Sequence, residues 1–405
     1  MSSGLSKERL ARMHDVLSGH VTRGQVPGLV SCVSRRGEVH IDAIGQKAVG
    51  DPAGPMQPDS LFRITSMTKP ITAVATMILV EECKLRLDDP VDELLPELAN
   101  RRVLKRLDGP LDDTVPARRS ITVRDLLTFR MGFGLIMGDQ SAYPVLRELK
   151  AQGLTSVGPP KPATLHTPDE WMRRFGTLPL MDQPGDKWMY NTGSYVLGVL
   201  IARASGQPLE TFFEERIFEP LGMKDTAFSV PPDKLDRLVT AYDSQADPAT
   251  GALVVHDAAK DSQWSVPPVF PDAGAGLVST ASDYLAFGQM MLDRGKHGAK
   301  RILSRLSVEA MTTDQLTREQ KSRSGFFPGY WDTRGWGFGV SIVTARDGVA
   351  AVPGRYGWDG GYGTSWSTDP AEGLVGVLMT QRAGFPTFSK VYLDFWTSAY
   401  QSIDD

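Results

Sequence analysis

Cysteine is scarce in this chain: Cys32 and Cys83 are the two present among 405 residues. They can build neither a disulfide framework nor a Cys-x-x-Cys metal or redox motif, and their apolar neighbours point to buried free thiols. Histidine is sparse too. His14, His20, His40, His166, His256 and His297 are scattered without ligand spacing, so no structural metal or other cofactor is expected. No run approaches the roughly 18 consecutive apolar residues that a membrane-spanning helix needs. An excess of positive charge is also missing: the formal net charge is -4, with lysine and arginine interleaved among acids, which argues against nucleic acid as a partner. Met1 to Leu10 lack the basic segment, apolar core and cleavage site of a secretory leader, so a cytoplasmic location is expected. No internal repeat is evident, and nothing in the sequence speaks to oligomeric state.

What the chain does have is 41% hydrophobic and 23% charged residues, the balance of a globular protein with ample core. It is organised around Leu61 to Val80. Among its lysines, Lys69 alone has a serine three residues before it, Ser66. If Ser66 opens a helix, the three-residue offset sets its hydroxyl and the Lys69 amine one turn apart on one face, a nucleophile beside a base. Pro70 fits, because proline is tolerated in or near the first helical turn. The following run, Ile71 to Val80, is apolar on most sides, as expected of a helix through the middle of a protein. Desolvation and the positive end of the helix dipole would both lower the lysine's pKa. A serine and lysine at a helix start are commonly just surface residues, so the pair needs company before it carries function.

In chain order, Leu10, Met13, Leu17 and Val21 recur at helical spacing, and Leu29–Ser34 with Val39–Ile44 read as a β-hairpin. Asn100 to Ser120 reads as a surface excursion. Helices are expected behind Thr122 and Thr167, over Ser194–Ala204 and over Leu209–Phe218. Residues 226–275 look irregular. A short strand at Leu277–Ser279 and a helix over Ala281–Asp293 follow, with a surface loop over Arg318–Thr333. Three strands, 336–343, 362–367 and 374–380, and an amphipathic helix around Val391, Phe395 and Ala399 complete the chain. The reading is an α/β (α+β) sandwich with an antiparallel sheet flanked by helices. Residues 1–84 and 226–405 form the discontinuous sheet domain, 85–225 form an inserted, mainly helical domain, and the active site lies in the cleft between them.

Two further stretches bear on chemistry. Gly185 to Tyr195 brings Tyr190, whose phenol near a lysine could work as a base, although a lone tyrosine is more often packed with its hydroxyl satisfied. Tyr356 to Trp366 is rich in glycine. Glycine inside a strand marks either a bulge or a close approach to backbone, and an edge strand there would offer N–H groups to a substrate.

Taken in order, Ser66-Met67-Thr68-Lys69, the loop from Pro184-Gly185 to Tyr190, Ile217 to Met223, Gly274 to Ser279 and Trp358-Asp359-Gly360 carry a resemblance. The chain resembles the serine β-lactamase and penicillin-binding-protein superfamily over about Val26 to Tyr400, and within it the class C β-lactamase-like carboxylesterases, or family VIII esterases. The resemblance implies a β-lactamase/transpeptidase-like fold and acylation of Ser66. Lys69 and Tyr190 would share the proton transfers, and the N–H groups of Ser66 and Gly361 would form the oxyanion hole. Which of Lys69 and Tyr190 takes the serine proton is left open.

The chain departs from the family's patterns in three places. Tyr190-Asn191-Thr192 stands where Tyr-Ser-Asn or Tyr-Ala-Asn is usual, leaving a Thr192 hydroxyl in place of an amide. Leu126 to Gly132 ends in Phe129-Arg130-Met131-Gly132 where His-Thr-Ser-Gly is usual. Trp358-Asp359-Gly360 replaces Lys-Thr-Gly, and a tryptophan cannot pair with a substrate carboxylate, with Arg355 and Arg382 as the candidates to compensate. The expected substrate is therefore a small neutral ester, contacted by Trp358, Asp359, Gly360, Tyr362 and Thr192, with Trp366 a further candidate wall. The alternatives are a β-lactamase or D-amino-acid peptidase-type hydrolase, an acyltransferase using the same serine, and a non-catalytic scaffold. Gly363-Thr364-Ser365-Trp366-Ser367 resembles an esterase motif but lies in a predicted strand, without the strand-to-helix turn its chemistry needs.

Overall fold

The computed structural model describes residues 4–50, 54–154, 166–384 and 389–405. A seven-stranded antiparallel sheet draws its strands from both ends of the chain. Strands β1 (Gly28–Arg35) and β2 (Glu38–Gly45) are the expected hairpin. Arg36 and Gly37 take φ of +48° and +87° at its tip, the left-handed pair that a two-residue hairpin turn needs. Late in the chain come β3 (Arg334–Trp336), β4 (Ser341–Val343), β5 (Tyr356–Gly360), β6 (Thr364–Asp369) and β7 (Leu374–Met379). The spatial order is β3-β4-β5-β6-β7-β1-β2.

Alternation along the strands gives the sheet two apolar faces. Val375 and Val377 of β7 join Val30 and Cys32 of β1 in the main core. Leu374 and Leu378 join Leu29 and Val33 in a second core on the other side. Helix α1 (Lys7–Thr22), capped by Ser6, belongs to that second core, as does the C-terminal helix described below. Helix α2 (Thr68–Glu81) runs through the main core with every residue from Thr68 to Leu79 buried. Between residues 85 and 225 the described regular elements are mostly helices, with one short strand pair. A capping box of Thr122 and Asp125 starts Val123–Leu127, Thr167 caps Pro168–Gly176, and α3 (Thr192–Ser205) stops at left-handed Gly206. Helix α3 packs on α2. Helix α4 (Ala281–Leu292) covers the main-core face of the sheet so closely that a Cβ on Gly288 would lie 2.6 Å from Trp366 and 2.6 Å from Val375. Helix α5 (Lys390–Gln401) covers the opposite face, where Trp396 meets Gly376. The result is the β-lactamase/transpeptidase-like α/β sandwich expected from the sequence. Among the described residues no helix is long and apolar enough to cross a membrane.

Several local expectations need correction. The glycine-rich stretch contains a strand of its own, β5, and the next begins at Thr364 because Gly361–Gly363 turns, with Gly363 at φ +85°. Strand β5 is not an edge strand along its whole length: β4 pairs with Tyr356 and Gly357, and only Trp358–Gly360 are free on that side. Residues 336–343 break into parts of two strands, β3 and β4, which pair with each other. The expected helix Leu209–Phe218 passes through a π turn at Glu214–Phe218. Arg318–Thr333 holds two short helices, Arg318–Arg323 and Tyr330–Thr333. Two-stranded ribbons form inside 100–120 and 226–275. Cys32 is buried as expected, and burial raises its thiol pKa to about 12, whereas Cys83 is exposed beyond the end of α2.

The entry to α2 is anchored by a buried ion pair. Arg63 is fully buried and donates to Asp257 Oδ2 at 2.7 Å, Val239 O at 2.6 Å and Ser262 Oγ at 3.0 Å. Removing the carboxylate would strand a buried cation, at a cost of about 3–5 kcal/mol. Asp257→Asn is therefore expected to lower unfolding free energy by roughly that amount in chemical denaturation, and more than Arg63→Met does.

Candidate active site

Ser66 sits in a single 3₁₀ turn, Thr65–Met67, directly before α2. The turn is tight: Thr65 takes φ +43°, a left-handed conformation that costs a β-branched residue about 1–3 kcal/mol. Strand β5 presses on it. A Cβ on Gly360 would lie 2.4 Å from Ile64 O and 2.6 Å from Thr65 Oγ1, so this glycine is required by a close backbone approach.

Three side chains expected from the sequence meet here. Lys69 Nζ lies 3.0 Å from Ser66 Oγ and donates to Gly274 O at 2.7 Å. Tyr190 lines the same cavity as Ser66, and its hydroxyl accepts a 2.8 Å hydrogen bond from Trp358 Nε1. The Lys69 amine also lies over the Tyr190 ring, 4.7 Å from its centroid. Burial acts on the two titratable groups in opposite directions. It lowers the Lys69 pKa to about 7, opposed by the charge of Asp272, and it raises the Tyr190 phenol well above the ordinary tyrosine range. At neutral pH the lysine thus has a free-base population while the tyrosine keeps its proton.

A cavity of about 700 Å³ opens over Ser66. Trp358, Gly360 and Gly361 form one side, and Tyr190, Asn191 and Tyr195 another. Leu135, Met137, Phe326 and Phe327 add an apolar wall. Trp358 is wedged at 4.7 Å, edge to face, against Trp336. Asp359 points to the opposite face of β5, where it accepts from Ser365 Oγ at 2.6 Å, and burial raises its pKa to about 6. It lines the far end of the cavity with Arg355 and Tyr392.

Other expected contacts fall elsewhere. Tyr362 does not wall the cavity: its side chain is wholly buried with Leu61, Leu238 and Trp264. Trp366 is buried against Tyr284 and Phe287. Thr192 is the first residue of α3 and is buried away from the cavity lining, which Asn191 reaches instead from φ +90°. Arg355 is held by Ser367 Oγ at 3.1 Å and stacks 3.8 Å over Trp396, and Arg382 donates to Gln25 O and Ser244 O. Neither takes the place of the missing strand lysine beside Ser66. Ser365 of the esterase-like motif lies within β6, donates to Asp359 and accepts from Trp396 Nε1, without access to a nucleophile's turn.

Sequence reasoning missed Asp272, Asn191, Tyr195 and the aromatic segment around Phe326. Asp272 had a signal: an acid two residues before Gly274, inside an otherwise apolar and small-residue stretch. The aromatic wall had a weaker one, since Phe326, Phe327, Tyr330 and Trp331 crowd a segment otherwise rich in charge and glycine.

Comparison with known proteins gives consistent likenesses. The Beta-lactamase family matches residues 13–398. Protein Rv1367c of Mycobacterium tuberculosis is 40% identical over 370 residues, covering 88% of this chain and 86% of its own. Esterase EstB of Burkholderia gladioli is 32% identical over 390 residues, covering 92% and 90%. Among solved structures, EstCE1, a hydrolase with promiscuous acyltransferase activity, superposes with a TM-score of 0.77 at 23% identity over 97% of this chain and 99% of that one, a likeness of fold.

The lowered lysine pKa makes a stability prediction. Between about pH 7 and pH 10 the unfolded chain carries a proton on Lys69 that the folded chain has released. Wild-type stability, measured relative to Lys69→Met, is therefore expected to rise with pH across that window. Paired urea titrations at pH 7 and pH 9 check it, and equal differences at both would show that the amine is not depressed.

Proposed function

From the premise that this chain belongs to the Beta-lactamase family, a serine β-lactamase-fold hydrolase with esterase relatives, we propose that it is a carboxylesterase of the family VIII type. It acts on small neutral esters through an acyl-enzyme on Ser66. The observation that carries this reading is the 3.0 Å contact of Ser66 Oγ with an amine whose pKa burial lowers to about 7.

In the proposed cycle Lys69, as free base, takes the Ser66 proton while Oγ attacks the ester carbonyl. The N–H groups of Ser66 and Gly361 receive the developing oxyanion. Tyr190, protonated and held by Trp358 Nε1, donates to the departing alkoxide, and the alcohol leaves. Tyr190 then lacks a proton and Lys69 carries one. Water enters and gives a proton to the Tyr190 phenolate as its oxygen attacks the acyl carbonyl; the bond from that carbon to Ser66 Oγ then breaks, Lys69 returns its proton to Oγ, and the acid leaves. An ester is favoured over a penicillin because Trp358 stands where a cation would meet a substrate carboxylate.

A second reading is acyl transfer to an alcohol, the promiscuous activity of the fold relative EstCE1. It uses the same steps with an alcohol in place of water.

p-Nitrophenyl butyrate is expected to turn over with kcat/KM falling as pH drops through about 7, where Lys69 gains its proton. Ser66→Ala is expected to lose at least about 10³-fold, and turnover that survives this substitution would sink the reading. A chromogenic cephalosporin should be cleaved far more slowly than the ester. Adding a primary alcohol and analysing products separates transfer from hydrolysis.

A further inference from the structure

Asp272 is buried within the turn that leads from the Pro271 segment to the strand pair at Val278, and the cycle above makes no use of it. One of its carboxylate oxygens, Oδ1, accepts from the N–H of Gly274 at 2.7 Å and from that of Ala275 at 3.0 Å. The carbonyl of the same Gly274 accepts from Lys69 Nζ at 2.7 Å. The turn is sewn to α2 on both sides of this contact: Thr72 Oγ1 donates to Ala273 O at 2.7 Å, and Leu277 N donates to Thr68 Oγ1 at 3.3 Å. An acid is not needed for the turn itself, since any acceptor of the right reach would satisfy two backbone N–H groups. A carboxylate here costs desolvation, which raises its own pKa to about 6, and the cost is offset chiefly by the charge of Lys69.

We infer that Asp272 is the positioning residue of Lys69: Oδ1 fixes the turn that presents the Gly274 carbonyl to Nζ, and the carboxylate charge faces the amine across that turn. The inference rests on the proposed roles of Ser66 and Lys69 and adds what tunes them. The groups around the amine are few. Ser66 comes from the turn before α2 and Tyr190 from the loop before α3, while Tyr195 of α3, which accepts from Asn191 Nδ2 at 2.8 Å, packs beside Gly274. Strand β5 contributes neutral Trp358 on this face and Asp359 on the far one. Among the described residues Asp272 is therefore the anion that bears on Lys69 directly, and it opposes the loss of the proton that burial drives.

The two contributions separate by substitution. Asp272→Asn keeps an acceptor for Gly274 and Ala275 and removes the charge, whereas Asp272→Ala removes both. The probe is a fluorophosphonate, which labels an activated serine without requiring turnover, with the Ser66 adduct followed by mass spectrometry from pH 5 to 9. Asp272→Asn is expected to keep labelling while its acidic limb moves to lower pH by about one unit, since a neighbouring opposite charge shifts a pKa by roughly 1–3 units. Asp272→Ala is expected to lose roughly 10- to 100-fold at every pH, because the lysine is no longer held in place. An Asp272→Asn profile that superimposes on wild type overturns the inference while leaving the proposed function intact. Failure of wild-type Ser66 to label at any pH overturns that function and the inference together.

Discussion

A primary amine closed off from water, one turn into a buried helix, is the constraint to which this site answers. Lys69 is 1% exposed, and burial at that depth disfavours its charge more than Asp272 restores it. The same burial raises the neighbouring phenol of Tyr190, because desolvation penalises whichever form is charged. One environment thus divides two groups into a base with a vacancy and an acid with its proton. That division is what the proposed acylation needs, with one group receiving from Ser66 and the other giving to the leaving alkoxide.

The depth of Lys69 follows from how α2 is enclosed. The helix is wrapped by α3, by the 272–277 turn and by β5, whose Gly360 leaves no room for a Cβ against the Ile64 carbonyl and the Thr65 hydroxyl. Close approach of this strand places Trp358 at the mouth of the site. Its indole N–H holds the phenol oxygen of Tyr190 and carries no charge to attract a substrate carboxylate. On the proposed reading, a tryptophan at this position favours a neutral substrate while supplying the phenol with a donor.

Much of this was legible in the sequence because it depends on short-range spacing. The Ser66–Lys69 offset, Pro70 and the apolar run behind it specify a buried helix start with its hydroxyl and amine together. The hairpin around Arg36-Gly37 and the caps at Thr122 and Thr167 were legible for the same reason. What was not legible depends on chain segments meeting at a distance. Tyr362 and Trp366 are aromatic residues in the glycine-rich stretch, yet a turn at Gly361–Gly363 and pleat alternation send one into a separate cluster and the other beneath α4. Asn191 reaches the cavity where Thr192 was expected because its backbone takes φ +90°, an orientation that side-chain spacing does not reveal.

The remaining choice, between water and an alcohol as acceptor of the acyl group, lies outside the Ser66–Lys69–Tyr190 chemistry. Either acceptor is an O–H group that attacks the same carbonyl and gives up one proton to the same pair, so those three residues do not discriminate between them. Discrimination must come from the walls. A cavity of about 700 Å³ lies well within the range of sites that enclose drug-sized ligands, and its Leu135, Met137, Phe326 and Phe327 side is apolar. An alcohol with an apolar body gains burial there that water cannot gain, whereas water is favoured by its concentration alone. On the proposed reading, partition of the acyl-enzyme is thus set by how much of that wall the acyl group already covers. A small acyl group leaves the wall open to an alcohol acceptor, and a bulky one fills it and leaves water as the acceptor that still fits.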